Sequence, residues 1–321
     1  MVDSLKFCKK MLPKVSRSFA LTIPLLDDKL YMPVLTVYLQ DRLLDNFEDE
    51  VKGIDIDTRK DLMDSVVALF DPDNEGTNYI CNRLKGYSDY IPDNDLQALT
   101  EGCHLLKEVY QNLPHKVQRL SFKWLNEMNE GMKKYLTLKI KTFEELDEYC
   151  YYVAGTVGGF LTELVLLYGD IHDHKQKEDL LENFTEAGLF LQKINIIRDI
   201  KIDLEERNKS FWPMEELGLS DEKILNPDYK EDASRALRVM LSNAKGHIEG
   251  LATYFEAIPD NLPGYRKFFS VNNALGIATL EELEGNLKLF YGRGKVKVSK
   301  MKFLKILNDP VKFFRQMVIR Y

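Results

Sequence analysis

Residues 188–203 read GLFLQKINIIRDIKID, an apolar run interrupted by Gln192, Asn195, Asp199 and Asp203. On a helix, at about 100° per residue, these four share one face. Leu189, Phe190, Leu191, Ile194, Ile196, Ile197, Ile200 and Ile202 cover much of the remaining surface. A helix apolar around most of its circumference belongs in a core, so the chain must fold with carboxylates in its interior. Left uncompensated, each would cost several kcal/mol against a total stability of about 5–15 kcal/mol. Something cationic has to meet them.

A second stripe lies upstream. In VLTVYLQDRLLDNFEDE, residues 34–50, the same projection stacks Tyr38, Asp41, Arg42, Asp45 and Asp49 on one side, with Glu48 at its edge. An exposed DxxxD pair needs no special explanation, since like charges four apart on a helix cost only about 0.2–0.5 kcal/mol. Buried pairs do. Arg17, Arg42 and Arg198 offer a purely structural ion network; a hard divalent cation explains the geometry better. Mg²⁺ takes one or two carboxylates and completes its octahedron with water and phosphate oxygens. Acids on two facing helices with arginines alongside therefore suit a diphosphate clamp, in which the charge developing on a leaving group is stabilised.

The rest of the chain is helical in pattern. Long runs such as VQRLSFKWLNEMNEGMKKYL and FEELDEYCYYVAGTVGGFLTELVLLYG have a 3.6-residue period, with no alternating strand pairs between them. Short breakers (FDPDNEGTN, NLPHK, YGDIHDHK, IPDNLPGY) separate the runs, which predicts one all-α domain over residues 1–321. A net charge of −7 argues against nucleic acid as a partner. Cys8, Cys81, Cys103 and Cys150 are far apart in sequence and read as reduced packing residues. His172 and His174 in YGDIHDHK form a lone HxH in a polar loop and predict no metal site. No signal peptide is visible, and no run reaches the roughly 18 apolar residues of a membrane span, so a cytoplasmic location is expected. The C-terminal segment GRGKVKVSKMKFLKILNDPVKFFRQMVIRY is basic and aromatic, with Asp309 its one acid. It suits a solvated surface helix, a phosphate-binding strip, or peripheral contact with an anionic membrane.

SRSFA (16–20), DNFED (45–49), YCYYVAGTVG (149–158), GLFLQKINIIRD (188–199), FWP (211–213), GIATL (276–280) and KVKVSK (295–300) occur in this order. Together they resemble the squalene/phytoene synthase family, most closely its squalene synthase branch. The resemblance spans nearly the whole chain, loosely from 52 to 140. It implies an all-α isoprenoid-synthase helical bundle with a central apolar cavity. It also implies Mg²⁺-dependent head-to-head condensation of two prenyl diphosphates, usually farnesyl diphosphate, through presqualene diphosphate, and in squalene synthases reduction by NADPH. Matched position by position, Asp45, Glu48 and Asp49 form the first metal motif and Asp199 and Asp203 the second. Asp45, Asp199 and Tyr149 then carry the chemistry, with Tyr149 serving the first half-reaction. Ser16, Arg17, Phe19, Tyr38, Arg42, Gln192, Asn195 and Arg198 contact substrate, and Asn195, Lys209, Lys297 and Lys300 the nucleotide. A tyrosine hydroxyl suits proton transfer beside a diphosphate, and its ring suits a passing cation.

Three departures and alternatives follow. Ile202 stands where the second motif usually has an acid, and Asn272–Asn273 replace a familiar Pro-Gln pair, which bears on metal affinity and product shape. No GxGxxG follows a strand, so a Rossmann site is not expected; KVKVSK is the basic segment that favours the reductive product. Ala154, Gly155, Gly158 and Gly159 either leave room for a prenyl chain or permit close helix packing. The charge-rich stretch 203–210 reads as a solvated flap. A non-reductive head-to-head synthase uses the same stripes. A class I terpene cyclase shares the Asn195/Asp199/Asp203 rhythm but needs one prenyl diphosphate, and an inactive helical scaffold has no use for the acids.

Overall fold

The computed structural model describes residues 2–207 and 209–321, and the regular elements among them are all helical, as the periodicity predicts. The principal helices are α1 (Val2–Val15), α2 (Asp28–Asp45), α3 (Ile56–Leu69), α4 (Cys103–Gln111), α5 (His115–Tyr135), α6 (Phe143–Cys150) and α7 (Thr156–Tyr168). They continue as α8 (Glu186–Glu205), α9 (Lys230–Lys245), α10 (Ile248–Ala257), α11 (Pro263–Leu283), α12 (Lys300–Asn308) and α13 (Pro310–Val318). Two segments are π-helical: π1, Asn46–Glu50, extends α2, and π2, Tyr151–Gly155, joins α6 to α7. Asn208, in the stretch read as a flap, lies outside the described residues.

The chain groups into two compact units, the first made of residues up to Thr137 with Glu163–Gly169 and Leu262–Tyr265. The second holds Leu138–Thr162, Asp170–Asn261 and Arg266–Tyr321. The sequence breakers mark this division only in part: borders fall at Gly169–Asp170 in YGDIHDHK and at Asn261–Leu262 in IPDNLPGY, but others fall inside α7 and α11.

In the first unit α2 is the central rod. Its Leu30, Leu35, Leu39, Leu43 and Leu44 are buried, and it packs against α1, α3, α4 and α5. α5 supplies a stripe at helical spacing, Val117, Ser121, Trp124, Leu125, Met128 and Met132. Where α2 carries polar groups into this core they are paired in part: Gln40 Oε1 accepts from the Ser121 hydroxyl at 2.6 Å, while its Nε2 is buried without a hydrogen bond among the described residues. Asn46 at the start of π1 donates to Leu96 O at 3.1 Å and Thr100 Oγ1 at 3.2 Å. Arg59 of α3 donates to the carbonyls of Glu48 and Val51 at 3.0 and 3.1 Å, satisfying acceptors that a helix end leaves open. All four cysteines are buried and free, and Cys81 and Cys103, distant in sequence, hydrogen-bond through their side chains.

In the second unit α8 packs against α6, π2, α9 and α10. The small residues of α6–π2–α7 make this approach possible. A Cβ at Gly158 would collide with the Phe184 carbonyl, and one at Gly188 with the Ala154 carbonyl. Close packing is thus the use to which Gly155, Gly158 and Gly188 are put, with Gly155 also flanked by Tyr151 and Leu189. Phe268 and Phe269 of α11 are buried, and Phe269 stacks on Tyr254 at 5.2 Å between centroids. One expectation is corrected. α6, π2 and α7 run on as a 26-residue helix, Phe143–Tyr168, long and apolar enough by composition to cross a membrane, with a window of mean hydropathy 1.5. Apart from Glu163, which pairs with Lys123, its acids lie in the first turns and leave the remainder apolar, and the face that meets α8 is backbone-close packing surface.

Gly158→Ala should therefore cost about 1–3 kcal/mol despite the better helix propensity of alanine, because a backbone carbonyl cannot yield as a side chain can. Thermal unfolding checks this, and an unchanged melting temperature would mean that the two helices have room to separate.

Candidate active site

The first unit gathers one set of predicted residues around the end of α2. Arg42 donates from Nη1 to Asp45 Oδ2 at 3.2 Å and from Nη2 to Glu50 Oε1 at 3.4 Å. Glu50 was not among the predicted residues, for a physical reason. At α-helical pitch it sits about 140° from Asp45, off the stripe. In a π turn residues five apart stack, and the amide of Val51 bonds to the carbonyl of Asn46 at 3.2 Å. The widened turn carries Glu50 round to Arg42.

Burial dominates the electrostatics of this set. It pushes the Asp45 carboxyl up to about 6, against the pull of Arg42 and with the repulsion of Asp49 and Glu50. Asp45 has 34% of its side chain exposed, so it lines a recess: reachable by solvent, yet surrounded by protein. Burial and the Asp45 charge likewise hold Asp41 well above the ordinary carboxylate range. Tyr38, raised by burial against a hydrogen bond with Ser16, lies 5.0 Å from the Phe19 ring. Ser16 Oγ also accepts from the Phe19 amide at 3.1 Å, so SRSF forms a local cap that sets both side chains. Glu48 is buried and Asp49 half-buried; Arg17 is exposed and has no side-chain partner among the described residues.

The second unit gathers the other set on α8. Arg198 folds back on its neighbour, donating from Nε and Nη2 to the two Asp199 oxygens at 3.0 and 2.8 Å. Lys295 reaches Asp199 Oδ1 at 3.2 Å. Burial alone would raise the Asp199 carboxyl, but these two cations outweigh it and hold it below the usual range. Asp203, buried, accepts from Arg207 at 3.3 Å. Tyr149, 3% exposed, stacks on Phe211 with centroids 4.9 Å apart, and Lys209 sits 4.7 Å over the same Phe211 ring. The next residue of FWP, Trp212, donates from its indole to the Ile196 carbonyl at 3.2 Å and so pins this loop to α8. Gln192 is half-buried and Asn195 exposed.

Of the basic run 295–300, Lys295 is the member that touches the set, and it too was missed. The approach is prepared by Lys201, which donates to Gly292 O at 3.1 Å and holds the start of the segment on α8. Lys297 and Lys300 are exposed. No periodicity in a loop could single out Lys295 from its neighbours. His174, expected in a loop, instead opens a helix, His174–Glu182, where it is exposed and pairs one turn on with Glu178 at 3.2 Å.

The donor sets differ in their fitness for a metal. Among the described residues no three His, Cys, Asp or Glu side chains converge into a ready-made cage. The first set nevertheless fits a hard divalent cation, because Asp45 and Glu50 share Arg42, and burial first, with the repulsion of Asp49 and Glu50 added, holds the Asp45 carboxyl above its ordinary range, a cost that a bound cation would relieve. The sparse protein coordination that Mg²⁺ accepts beside phosphate is compatible with that arrangement. The second set carries its own cations.

Comparison with known proteins gives this arrangement its class. The family profile for squalene/phytoene synthases matches residues 12–302. Squalene synthase 1 of Arabidopsis thaliana is 32% identical over 308 residues, 94% of this chain and 70% of that protein. The squalene synthase of Bos taurus is 31% identical over 311 residues, 96% of this chain and 70% of its own length. A solved TcSQS complexed with the ligand BPH1237 superposes with a TM-score of 0.83 at 28% identity, covering 99% of this chain and 90% of that one. A dehydrosqualene synthase, 20% identical with a TM-score of 0.61 over 98% and 97% of the two chains, shares the fold. The helices have the isoprenoid-synthase fold, and with these relatives the protein is a prenyltransferase-type enzyme. The chain belongs to the squalene/phytoene synthase family.

A pH prediction follows from Asp45. Its folded-state pKa is raised to about 6, so between about pH 4 and 6 the folded protein holds a proton that the unfolded chain releases. Stability of the metal-free protein should therefore fall as pH rises through that window, and Asp45→Asn should flatten the fall. Melting curves from pH 4 to 7 decide it: identical slopes in the two proteins would show that the Asp45 proton is not linked to folding.

Proposed function

We propose that the protein condenses two molecules of farnesyl diphosphate head to head, through presqualene diphosphate, and reduces the product to squalene with NADPH. The observation that carries this reading is the division of labour between the two sets. One is acid-rich around Arg42, and the other is cation-rich around Asp199, with an aromatic hydroxyl, Tyr149, on the helix packed against it. Two diphosphate leaving groups need both kinds of partner.

Asp45, Glu48 and Asp49 would hold Mg²⁺ in the first set and Asp199 and Asp203 in the second. When bound, the metal supplies charge that lowers the cost of diphosphate departure. Arg17, exposed and without a side-chain partner among the described residues, and Arg42 and Arg198 orient phosphate oxygens. Tyr149 holds or passes the proton lost in the first condensation, with its ring fixed by Phe211. Tyr38 and Phe19 pack on the prenyl chain, in an apolar trough that excludes water from a carbocation. NADPH, when bound, supplies the hydride; Asn195, Lys209, Lys297 and Lys300 are its proposed contacts. One observation favours the non-reductive alternative, in which dehydrosqualene or presqualene diphosphate is released. Lys295 is already engaged by Asp199, which leaves the exposed Lys297 and Lys300 to hold the nucleotide phosphates.

Incubation with farnesyl diphosphate and Mg²⁺, with and without NADPH, tests both readings by mass spectrometry of the extracted products. Squalene only with NADPH is the expected result. Dehydrosqualene or presqualene diphosphate in both reactions would remove the hydride step, and a C15 product would remove the condensation. Asp45→Asn and Asp199→Asn should each lower kcat at least about a hundredfold with folding intact; full activity in either would defeat its assignment.

We further propose a cytoplasmic enzyme that touches membranes at the α12–α13 pair. Lys300, Met301, Leu304, Lys305, Lys312 and Phe313 line one groove there, with Met301 67% and Leu304 54% exposed. Flotation with vesicles rich in anionic phospholipid should carry the protein, and Met301→Asp with Leu304→Asp should release it. Equal flotation of the double variant would relocate the contact.

A further inference from the structure

Lys193 has no part in the roles above, yet it is the most deeply placed charge on α8, with 1% of its side chain exposed. On the helical projection it lies off the stripe of Gln192, Asn195, Asp199 and Asp203. Its ammonium meets Asp147 Oδ1 of α6 at 2.5 Å and His247 Nε2, in the turn between α9 and α10, at 2.7 Å. His247 Nδ1 in turn lies 2.8 Å from Glu186 Oε2 at the start of α8.

The protonation pattern follows from the donor inventory. An ammonium only donates, so Nε2 of His247 must accept; the ring is then neutral, with its proton on Nδ1 donated to Glu186. The site is shaped for this arrangement. A Cβ at Gly250 would lie 2.5 Å from Glu186 Cγ, so only glycine there lets the carboxylate reach the imidazole. Asp147 Oδ1 is sealed from solvent and accepts no hydrogen bond of ordinary geometry, which leaves the ammonium as its counterpart. The Cys150 thiol is also buried beside this pair and raised by that burial.

Burying such a chain is expensive unless it specifies a geometry that apolar contacts do not. The α6–π2–α7 helix meets α8 across glycines, a contact of backbone on backbone that carries no directional side-chain link of its own. Lys193 fixes their register. It grips α6 two residues before Tyr149, at Asp147, whose carbonyl also accepts the amide of Tyr151, the first residue of π2. On the other side of α6 Tyr149 is held by Phe211.

We propose that Asp147, Lys193, His247 and Glu186 form a tether, buried at Lys193 and half-buried at the other three, that positions Tyr149 relative to the carboxylate stripe of α8. Lys193 is a positioning residue and contacts no substrate. This inference rests on the proposed role of Tyr149 in the condensation, so its test has a readout that does not.

Lys193→Met, His247→Leu and His247→Gln are compared for kcat and KM with farnesyl diphosphate, in the wild-type and the Tyr149→Phe background. Amide hydrogen exchange is followed over residues 147–155 and 193–199. Lys193→Met and His247→Leu should each lower kcat by about tenfold or more with KM within about threefold. They should lose little further in the Tyr149→Phe background and should speed exchange in both segments. His247→Gln, whose amide both accepts from the ammonium and donates to Glu186, should retain most of kcat. Wild-type kcat in folded Lys193→Met, or equal losses in both backgrounds, would overturn the tether; should Lys193→Met not fold, His247→Leu against His247→Gln decides by the same criteria. If the wild-type protein does not turn over farnesyl diphosphate, the proposed function fails by itself, and exchange judges the tether: unchanged protection in both variants refutes it.

Discussion

Carboxylates held inside protein set the terms for the rest of this molecule. A charge deprived of water must be neutralised by a proton, a counter-ion or a metal, and the two stripes adopt different solutions. Around α2 and π1 Arg42 is shared by Asp45 and Glu50, and burial raises the Asp41 and Asp45 carboxyls toward protonation. On α8 the balance is reversed, with Arg198, Lys295 and Arg207 supplying positive charge to two aspartates. The first set has charge to spare for a cation. The second has charge to spare for an anion.

The π-helical segments are where the chain departs from regular geometry to achieve this. Each widened turn sits beside predicted site residues, π1 carrying Glu48 and Asp49 and π2 starting two residues after Tyr149. Such turns cost hydrogen-bond quality and need support from outside the helix. Arg59 and Asn46 provide it for π1, and the close seat of α8 against Gly155 provides it for π2. Those supports contact no proposed ligand, but they hold the irregular backbone that re-aims the acids and the tyrosine.

Much of this was legible in sequence because burial leaves periodic traces. The stripe of α8, the stripe of α2 and the all-helical architecture follow from counting at about 100° per residue. What the count misses has one physical cause, local departure from that pitch or from any pitch. Glu50 is invisible until the turn widens, Lys295 belongs to a loop, and the partners of Lys193 come from two other elements. The glycines of α6–π2–α7 were ambiguous for a different reason: the same lack of a Cβ serves an open trough and a close contact, and only the position of the Phe184 and Ala154 carbonyls separates them. The division into two units was only half readable, because it follows the breakers at Gly169–Asp170 and Asn261–Leu262 but also passes through the interiors of α7 and α11, where no breaker marks it.

The asymmetry of the two sets also bears on Ile202. The family pattern expects an acid there, and adding one to α8 would place a third carboxylate beside Asp199 and Asp203. In this chain the neighbourhood is instead balanced by side-chain cations, with Lys295 on Asp199 and Arg207 on Asp203. Losing the acid while keeping the cations shifts the local charge toward positive, which weakens the electrostatic attraction of a metal and strengthens that of a diphosphate. On the proposed reading, α8 then acts first as an anion-binding surface. A metal recruited there would arrive with the diphosphate, whose own negative charge replaces the carboxylate that Ile202 does not supply.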